Sequence, residues 1–170
     1  NALFSAGDYL ARQQQFNGGW GYAEGVHQTD VDDTAYCVEF LRTLDPHRYR
    51  MTIARAERYM VRMQNPDGGF PTFKRGSSSE VAMTAAVINA LAPNRDKYPQ
   101  VFRRAVDYII HNQQSDGTFE QSWSCAHSNA IFRALLAIQT LTVGLSQSER
   151  TAAERRAMSY LRLSQNDDGG

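Results

Sequence analysis

The chain has 170 residues, and its 18 basic and 18 acidic residues give a formal net charge of zero. This balance argues against nucleic-acid binding through bulk charge, and the sequence has no run of about 18 apolar residues that would predict a membrane span. Its two cysteines, Cys37 and Cys125, lack the spacing of zinc ligands. Such cysteine usage is typical of a reducing compartment, so we expect a cytoplasmic protein.

A pattern built on Ala-x-x-Tyr recurs four times, and its tyrosines lie 50, 49 and 52 residues apart. Each copy has a helix with apolar residues at three- and four-residue spacing, then a glutamine, and then a glycine-containing breaker. In the first three copies a second, more apolar segment follows, which predicts a more deeply buried helix. Each unit is therefore predicted to be a hairpin of one outer and one inner helix. The tyrosines are Tyr9, Tyr59, Tyr108 and Tyr160.

Three carboxylates, Asp30, Asp32 and Asp33, open the first inner helix in the stretch TDVDDTAYC. Asp30 suits the N-cap position, but capping explains one acid and not three. A magnesium site is an alternative, although Asp30 and Asp32 would lie about 200° apart around a helix and form no tidy clamp. A Brønsted acid is the favoured interpretation, because carboxylates this close share protons and one of them stays protonated.

The second inner helix follows SSSE, in which Ser77 and Glu80 have the spacing of a capping box. The third follows the segment 122–128, which contains Trp123 and His127. Because all three inner helices come after the same kind of breaker, their N-termini are predicted to converge at one mouth of a central hollow.

Hairpins of this kind cannot bury their apolar faces alone and must stack. A period near 50 residues therefore predicts an all-α fold, an α/α toroid built of helical hairpins. Residues 1–170 would supply three hairpins and part of a fourth, so we expect a partial barrel within a longer protein. The recurrent glutamine is predicted to tie each breaker to a neighbouring helix end through its amide.

The stretch DVDDTA, from Asp30 to Ala35, resembles the DxDD-T-A motif of class II terpene cyclases, and Gln14-x3-Gly18-x-Trp20 resembles their QW motif. The resemblance covers the whole chain. It implies that residues 1–170 are part of the acid-bearing α/α barrel, which in that family is usually paired with a second barrel. It also implies an isomerase of terpenoid biosynthesis that cyclises a linear prenyl diphosphate.

The resemblance implies that Asp32 is the general acid that protonates a terminal alkene, with Asp30 and Asp33 orienting it. The candidates for supporting the acid are Thr34, Ser78, Ser79 and Thr84. Aromatic faces stabilise carbocations, and the candidates for contacts in the cavity are Tyr36, Phe40, Trp20, Phe70, Phe119 and Trp123, with His127 as a base or polar contact. The acid chemistry needs no cofactor, and no metal site is predicted, although Mg²⁺ would assist the diphosphate.

The second inner helix lacks the histidine common in hopene-type enzymes, and no long aromatic-rich insert follows Phe119. We therefore favour a bacterial-type cyclase that converts geranylgeranyl diphosphate to a copalyl-type diphosphate. The alternatives among cyclases are a farnesyl diphosphate cyclase with a drimenyl product and a squalene/hopene-type enzyme. Outside the cyclases, a protein prenyltransferase β-subunit would need zinc ligands that the sequence does not offer. A non-catalytic α/α repeat module, binding partners on its concave face, would leave DVDD unexplained.

Overall fold

The structure, a computed structural model, describes residues 2–121, 123, 126–140 and 146–169. Regular secondary structure in these ranges is helical, apart from two isolated bridges between Trp20 and Asp30 and between Phe70 and Glu80. The α-helices are α1 (Ala2–Gln13), α2 (Val31–Leu44), α3 (Arg50–Met63), α4 (Val81–Leu91), α5 (Pro99–His111), α6 (His127–Thr140) and α7 (Gln147–Ser164), and a 3-10 helix covers Ala92–Lys97. Among the described helices, none has the length and apolar character that crossing a bilayer requires.

The helices form two layers. α2, α4 and α6 make the inner layer, in which α4 packs between the other two, and α1, α3, α5 and α7 pack on the outside. All residues of α4 except Asn89 are buried, which explains why its sequence is apolar on every face. This arrangement confirms the predicted all-α toroid of outer and inner helices, and the described residues form part of its wall.

The recurrent glutamine ties each breaker to the next outer helix. In the first three copies its Nε2 donates to the carbonyl of the glycine four residues later and to a carbonyl of the next outer helix, at 2.9–3.2 Å. The sets are Gln14 with Gly18 and Thr52, Gln64 with Gly68 and Val101, and Gln113 with Gly117 and Ala153. The predicted structural role of this glutamine is therefore confirmed.

The glycine of the breaker is required by close packing as well as by backbone conformation. Gly117 has a φ of +94°, a region that residues with a Cβ resist. A Cβ at this position would also lie 2.2 Å from the carbonyl oxygen of Arg156, in α7. The turn can therefore dock on the next outer helix only when glycine occupies this position.

A buried carboxylate joins the hairpins at the end of the inner layer where α2 and α4 terminate. Glu57, in α3, is 1% exposed and accepts from Arg42 at 2.8 Å and from Tyr98 at 3.2 Å. Lys97, at 3.4 Å, and Asn94 also donate to it. We call these five residues the Glu57 cluster; they connect α2 and α3 with the 3-10 helix that follows α4.

The prediction of a capping box at Ser77 and Glu80 is wrong. Glu80 is itself the N-cap of α4, in an extended conformation and without a side-chain capping bond. Its carboxylate instead accepts the hydroxyl of Thr72, because the bridge to Phe70 fixes the backbone of Glu80 next to the breaker. A capping box does occur at the start of α7, between Ser146 and Glu149.

Candidate active site

The N-termini of the inner helices meet at one end of the inner layer, which we call the mouth. The N–H of Val31 donates to the carbonyl of Thr72 at 3.0 Å, and the indole N–H of Trp123 donates to Oγ1 of Thr72 at 3.0 Å. The N–H of Val81 donates to the carboxylate of Glu120. The loops before α4 and α6 thus contact the neighbouring helix starts, as predicted. Ser122, Ser124 and Cys125, from the predicted mouth segment, lie outside the described residues.

Asp30 is the N-cap of α2, as its position in the sequence predicts. Its Oδ1 accepts the N–H of Asp33 at 2.7 Å, whereas Oδ2 is buried and has no hydrogen-bond partner among the described residues. Burial raises the pKa of Asp30 to about 7; the N–H of Asp33 opposes this rise, and the Asp33 and Asp32 side chains add to it. Near neutral pH a large share of the molecules therefore carries a proton on this carboxyl group.

Asp32 forms an ion pair across the inner layer. Its Oδ1 lies 2.6 Å from Nη1 of Arg133 in α6, and its side chain is 28% exposed. The same guanidinium donates to the hydroxyl of Tyr36 and lies 4.9 Å from the centroid of that ring. Because α4 stands between α2 and α6, a direct contact between their side chains shows that the layer curves towards this side, which we call the concave face.

Asp33 has a third environment. Its side chain lines a groove of about 250 Å³ between α1, α2 and the first breaker, together with Trp20 and Cys37. Burial raises the pKa of Cys37 to about 12, and the charges of Asp33 and Asp30 add to the rise. Asp32 therefore points onto the concave face, whereas Asp33, which borders this groove, is also close enough to Asp30 for their two side chains to interact.

The concave face is apolar around the ion pair. Large apolar side chains of α2 and α6 are exposed on it, namely Tyr36, Phe40, Phe132 and Leu136. A cavity of about 140 Å³ lies between Tyr36 and Arg133, with Ala35 and Ala86 also in its lining. A single carboxylate and guanidinium thus stand within an apolar surface, which is the kind of environment that a hydrocarbon chain would occupy.

Three of the predicted cavity aromatics lie elsewhere. Trp20, Phe70 and Phe119 are almost fully buried in the core, and the indole N–H of Trp20 donates to the carbonyl of Leu10 at 2.8 Å. Their assignment to the cavity is wrong because the residue after the breaker glycines points between the layers. Tyr36 and Phe40, in contrast, do lie on the concave face.

The two threonines predicted to support the acid brace the backbone instead. Thr34 donates to the carbonyl of Asp30 at 2.6 Å and accepts the N–H of Trp20 at 3.0 Å. Thr84 makes the matching bonds in the second hairpin, to the carbonyl of Glu80 at 2.7 Å and from the N–H of Phe70 at 2.9 Å. Thr34 thus fixes the Asp30 backbone, whereas the assignment of Thr84 to the acid is corrected.

The two serines predicted to support the acid belong to the second breaker. Ser79 donates to Asp67 and accepts from Asn65, both at 2.9 Å, and its carbonyl accepts the hydroxyl of Tyr108. Ser78 is an exposed loop residue. Both assignments are therefore corrected, because this segment folds back on its own turn rather than towards α2.

Trp123 and His127 lie near the mouth but not beside Asp32. Trp123 packs edge-on against Phe73 with ring centroids 5.6 Å apart, and most of its side chain is exposed. His127 contacts the carbonyl of Phe119 at 3.2 Å and the ring of Tyr160, in a groove between α6 and α7. The sequence prediction that His127 faces the cavity is thus corrected to a position facing α7.

Arg133 is the residue that the sequence analysis missed. It is 7% exposed, although it carries a charge, and a buried charge requires a partner. A signal was present, because Arg133 is the one charged residue in the apolar stretch NAIFRALLAIQTL. A cation in a segment predicted to be buried indicates a carboxylate nearby, and the acids at 30–33 were the obvious candidates.

No cluster of three or more His, Cys, Asp or Glu side chains with the geometry of a metal site occurs within the described ranges. Asp32 is engaged by Arg133, and Asp30 caps the start of α2 through its Oδ1. The described residues therefore do not fit a Mg²⁺ site, and we assign no step to a metal ion here.

Residues 4–170 match the family model described as the prenyltransferase alpha-alpha toroid domain. The chain belongs to this family. It is 49% identical over 164 residues to drimenyl diphosphate synthase of Streptomyces showdoensis and 48% identical over 167 residues to drimenyl diphosphate synthase of Streptantibioticus cattleyicolor. Each alignment covers 96% of this chain and 31% of the relative, so the chain spans about a third of their length.

A solved structure is similar in fold. It is a variant of the type II terpene cyclase MstE from Scytonema in complex with geranylgeranyl dihydroxybenzoate, its substrate; the TM-score is 0.74 and the identity 19% over 99% of this chain and 49% of that one. At this identity the similarity shows the fold alone. The similarity to the drimenyl diphosphate synthases confirms the resemblance to terpene cyclases that DVDDTA and the QW pattern predicted.

Proposed function

We propose that the protein is a class II terpene cyclase, an isomerase that starts cyclisation of a linear prenyl diphosphate by protonating its terminal alkene. One observation carries the proposal: Asp32 stands on an apolar concave face, next in line to a buried carboxyl group, Asp30, that holds a proton near neutral pH. The cytoplasmic location predicted from the cysteines stays part of this proposal.

Asp32 would act as the general acid. Its proton passes to the CH carbon of the terminal alkene, the π electrons form the new C–H bond, and a tertiary carbocation is left on the carbon that bears the two methyl groups. Successive alkenes close the rings, and loss of a proton from the last cation restores a neutral hydrocarbon skeleton with unchanged composition. The Asp32 carboxylate formed in this step is stabilised by Arg133, whose Nη1 lies 2.6 Å away.

Asp30 would return the proton to this site. It is two residues from Asp32 and nearly inaccessible to solvent, and its pKa of about 7 makes it a store of protons in the neutral range. Thr34 fixes the backbone of Asp30 through its carbonyl, at 2.6 Å. Asp33 supplies the N–H that orients Oδ1 of Asp30, and the orientation of Asp32 by Asp33 stays a prediction of the resemblance.

The concave face would bind the hydrocarbon chain. Tyr36, Phe132 and Leu136 present apolar surface beside the ion pair, and the ring of Tyr36 offers its face to a developing cation. Burying this surface under substrate also excludes water, which would otherwise quench the carbocation.

The substrate we favour is farnesyl diphosphate, with a drimenyl-type product. This choice is supported by two relatives that share 49% and 48% identity and bear the name drimenyl diphosphate synthase. Farnesyl diphosphate was the alternative in the sequence analysis, and the geranylgeranyl substrate preferred there stays an untested prediction. Assistance of the diphosphate group by Mg²⁺ stays an untested prediction.

Product analysis of the full-length protein, supplied separately with farnesyl diphosphate, geranylgeranyl diphosphate and squalene, tests the proposal. We expect a bicyclic diphosphate from the farnesyl substrate, loss of turnover by at least about 10²-fold in Asp32→Ala, and unchanged helical circular dichroism in this variant. Asp96→Ala, which removes a fully exposed carboxylate, is the matched control and should keep full activity.

The alternatives give different results in the same assay. A protein prenyltransferase would bind zinc and attach the prenyl group to a peptide without cyclising it. A repeat module without catalysis would release every prenyl diphosphate unchanged. Full turnover by Asp32→Ala would refute the assignment of the acid.

A further inference from the structure

Arg133 reaches Asp32 because α4 presents small side chains between them. The cavity beside the ion pair is lined by Ala86 of α4 and Ala35 of α2, so the guanidinium can cross the middle helix of the layer. Arg133 is buried and uses both Nη atoms, one on Asp32 and one on the hydroxyl of Tyr36. This is a built contact between two helices that do not follow each other in the chain.

The charges that face Asp32 are few. From its own helix α2 these are Asp30, Asp33, Tyr36 and Glu39, and burial raises the pKa of Glu39. From α6 the facing charge is Arg133, and α4, with the sequence VAMTAAVINAL, contains no titratable side chain. Within the described residues, Arg133 is the cation in contact with Asp32, and the charges of Arg133 and Arg42 both act on Glu39.

We propose that Arg133 is a positioning residue for the acid, whose ion pair holds the Asp32 side chain on the concave face until the pair opens and Asp32 can act. The inference rests on the function proposed above. A guanidinium at 2.6 Å favours the charged form of a carboxyl group. Proton transfer to an alkene needs the neutral form, so the ion pair must open in each catalytic cycle.

Binding of the substrate to the concave face would favour opening of the ion pair between Asp32 and Arg133. Tyr36, which also holds Arg133, is half exposed on that face, next to Phe132. A hydrocarbon chain lying against the Tyr36 ring would compete with the stacked guanidinium for it. Binding of substrate and release of Asp32 would thus be linked through one side chain, Tyr36.

The pH dependence of kcat in the full-length protein tests this role. Arg133→Gln should move the upper limb of the profile to higher pH by about one to three units, the range in which a neighbouring cation acts on a carboxyl group. Arg133→Lys, which keeps the charge, should retain the wild-type limb. Arg42→Gln, which removes another inner-helix arginine from an ion pair with Glu57, should leave the limb in place.

Infrared spectroscopy of the carboxyl groups gives a second readout that does not depend on turnover. The carboxyl bands of Arg133→Gln should differ from those of wild type, and this difference should be lost when the same substitution is made in an Asp32→Asn background. An active Asp32→Asn enzyme would refute the proposed function. An Asp32-dependent enzyme whose Arg133→Gln variant keeps both the wild-type limb and the wild-type infrared spectrum would refute the role of Arg133 alone.

Discussion

Two carboxyl groups are buried near opposite ends of α2, and they differ in the number of hydrogen-bond donors around them. Glu57, near the C-terminal end, accepts from Arg42, Lys97, Tyr98 and Asn94. Asp30, at the N-terminal end, accepts the N–H of Asp33, and its Oδ2 has no partner within the described part of the chain. Both are 3% exposed or less.

The carboxyl group of Glu57 therefore has a structural role, whereas that of Asp30 is available for chemistry. Glu57 accepts hydrogen bonds from two cations, a hydroxyl group and an amide, and through them it links neighbouring helices. A buried carboxyl group next to further acids and without a cation keeps its proton. Asp30 can thus serve as a proton donor because no cation contacts it among the residues that the structure describes, whereas Glu57 is surrounded by donors.

Asp30→Asn should have the largest effect on catalysis. The amide keeps the size and capping ability of the side chain but cannot pass on a proton. We expect kcat of the full-length protein to fall by about 10²-fold or more, measured as product formed from farnesyl diphosphate. Wild-type turnover in this variant would remove Asp30 from the proton path.

Glu57→Gln should produce the complementary result, with a loss of stability and little change in kcat. Removing the charge leaves the partly buried Arg42 without its anion, and we expect about 2 to 4 kcal/mol of destabilisation. Thermal unfolding would report the loss, and product formation at a temperature well below Tm would show retained activity. An unchanged Tm would indicate that the cluster does not hold the hairpins together.

The stability of the protein should depend on pH through Asp30. The pKa of Asp30 is raised to about 7 in the folded protein, above the value of about 3.9 for an unfolded chain. Between these values the folded state binds a proton that the unfolded state lacks, so Asp30 contributes less to stability as pH rises, and its penalty is complete above pH 7. We therefore expect the Tm of Asp30→Asn, relative to wild type, to increase from pH 5 to pH 8. A constant difference in Tm would show that Asp30 does not titrate in this range.

Gln64→Ala should have the smallest of these effects, and it should be independent of pH. The variant leaves the carbonyls of Gly68 and Val101 without their donor, which costs about 1 to 3 kcal/mol for buried groups. Thermal unfolding at pH 5 and pH 8 would check both points. A pH-dependent loss would show that the breaker communicates with the acids at the mouth.

The fold could be predicted from the sequence because its information is periodic. The glutamine, the glycine and the aromatic residue recur, and each makes the same local contact wherever it occurs, as the bonds of Gln14 and Gln64 show. The N-cap at Asp30 was equally accessible, since capping depends only on neighbouring residues. The prediction that Thr84 and Ser79 support the acid was wrong. Their side chains bond to residues of their own hairpin and do not reach α2.

The directions of the acids could not be predicted in this way. The orientation of Asp32 depends on Arg133, 101 residues further along the chain, and on the small residues of α4 that let the two meet. Trp20 was predicted to line the cavity but is buried between the layers, and which of the two it does depends on the side of the breaker that faces this space. Such facts depend on how whole helices are rotated against each other, and a single helix does not encode its own rotation.

Turnover in deuterated water tests the central claim most directly. If the Asp32 carboxyl group protonates the alkene, the bicyclic product formed from farnesyl diphosphate in D₂O should carry a solvent-derived deuterium at the former CH carbon of the terminal alkene, next to the carbon that bears the two methyl groups, and Asp32→Asn should form none of this product. A bicyclic product without deuterium at the former CH carbon, or labelled product from Asp32→Asn at the wild-type rate, would contradict the account.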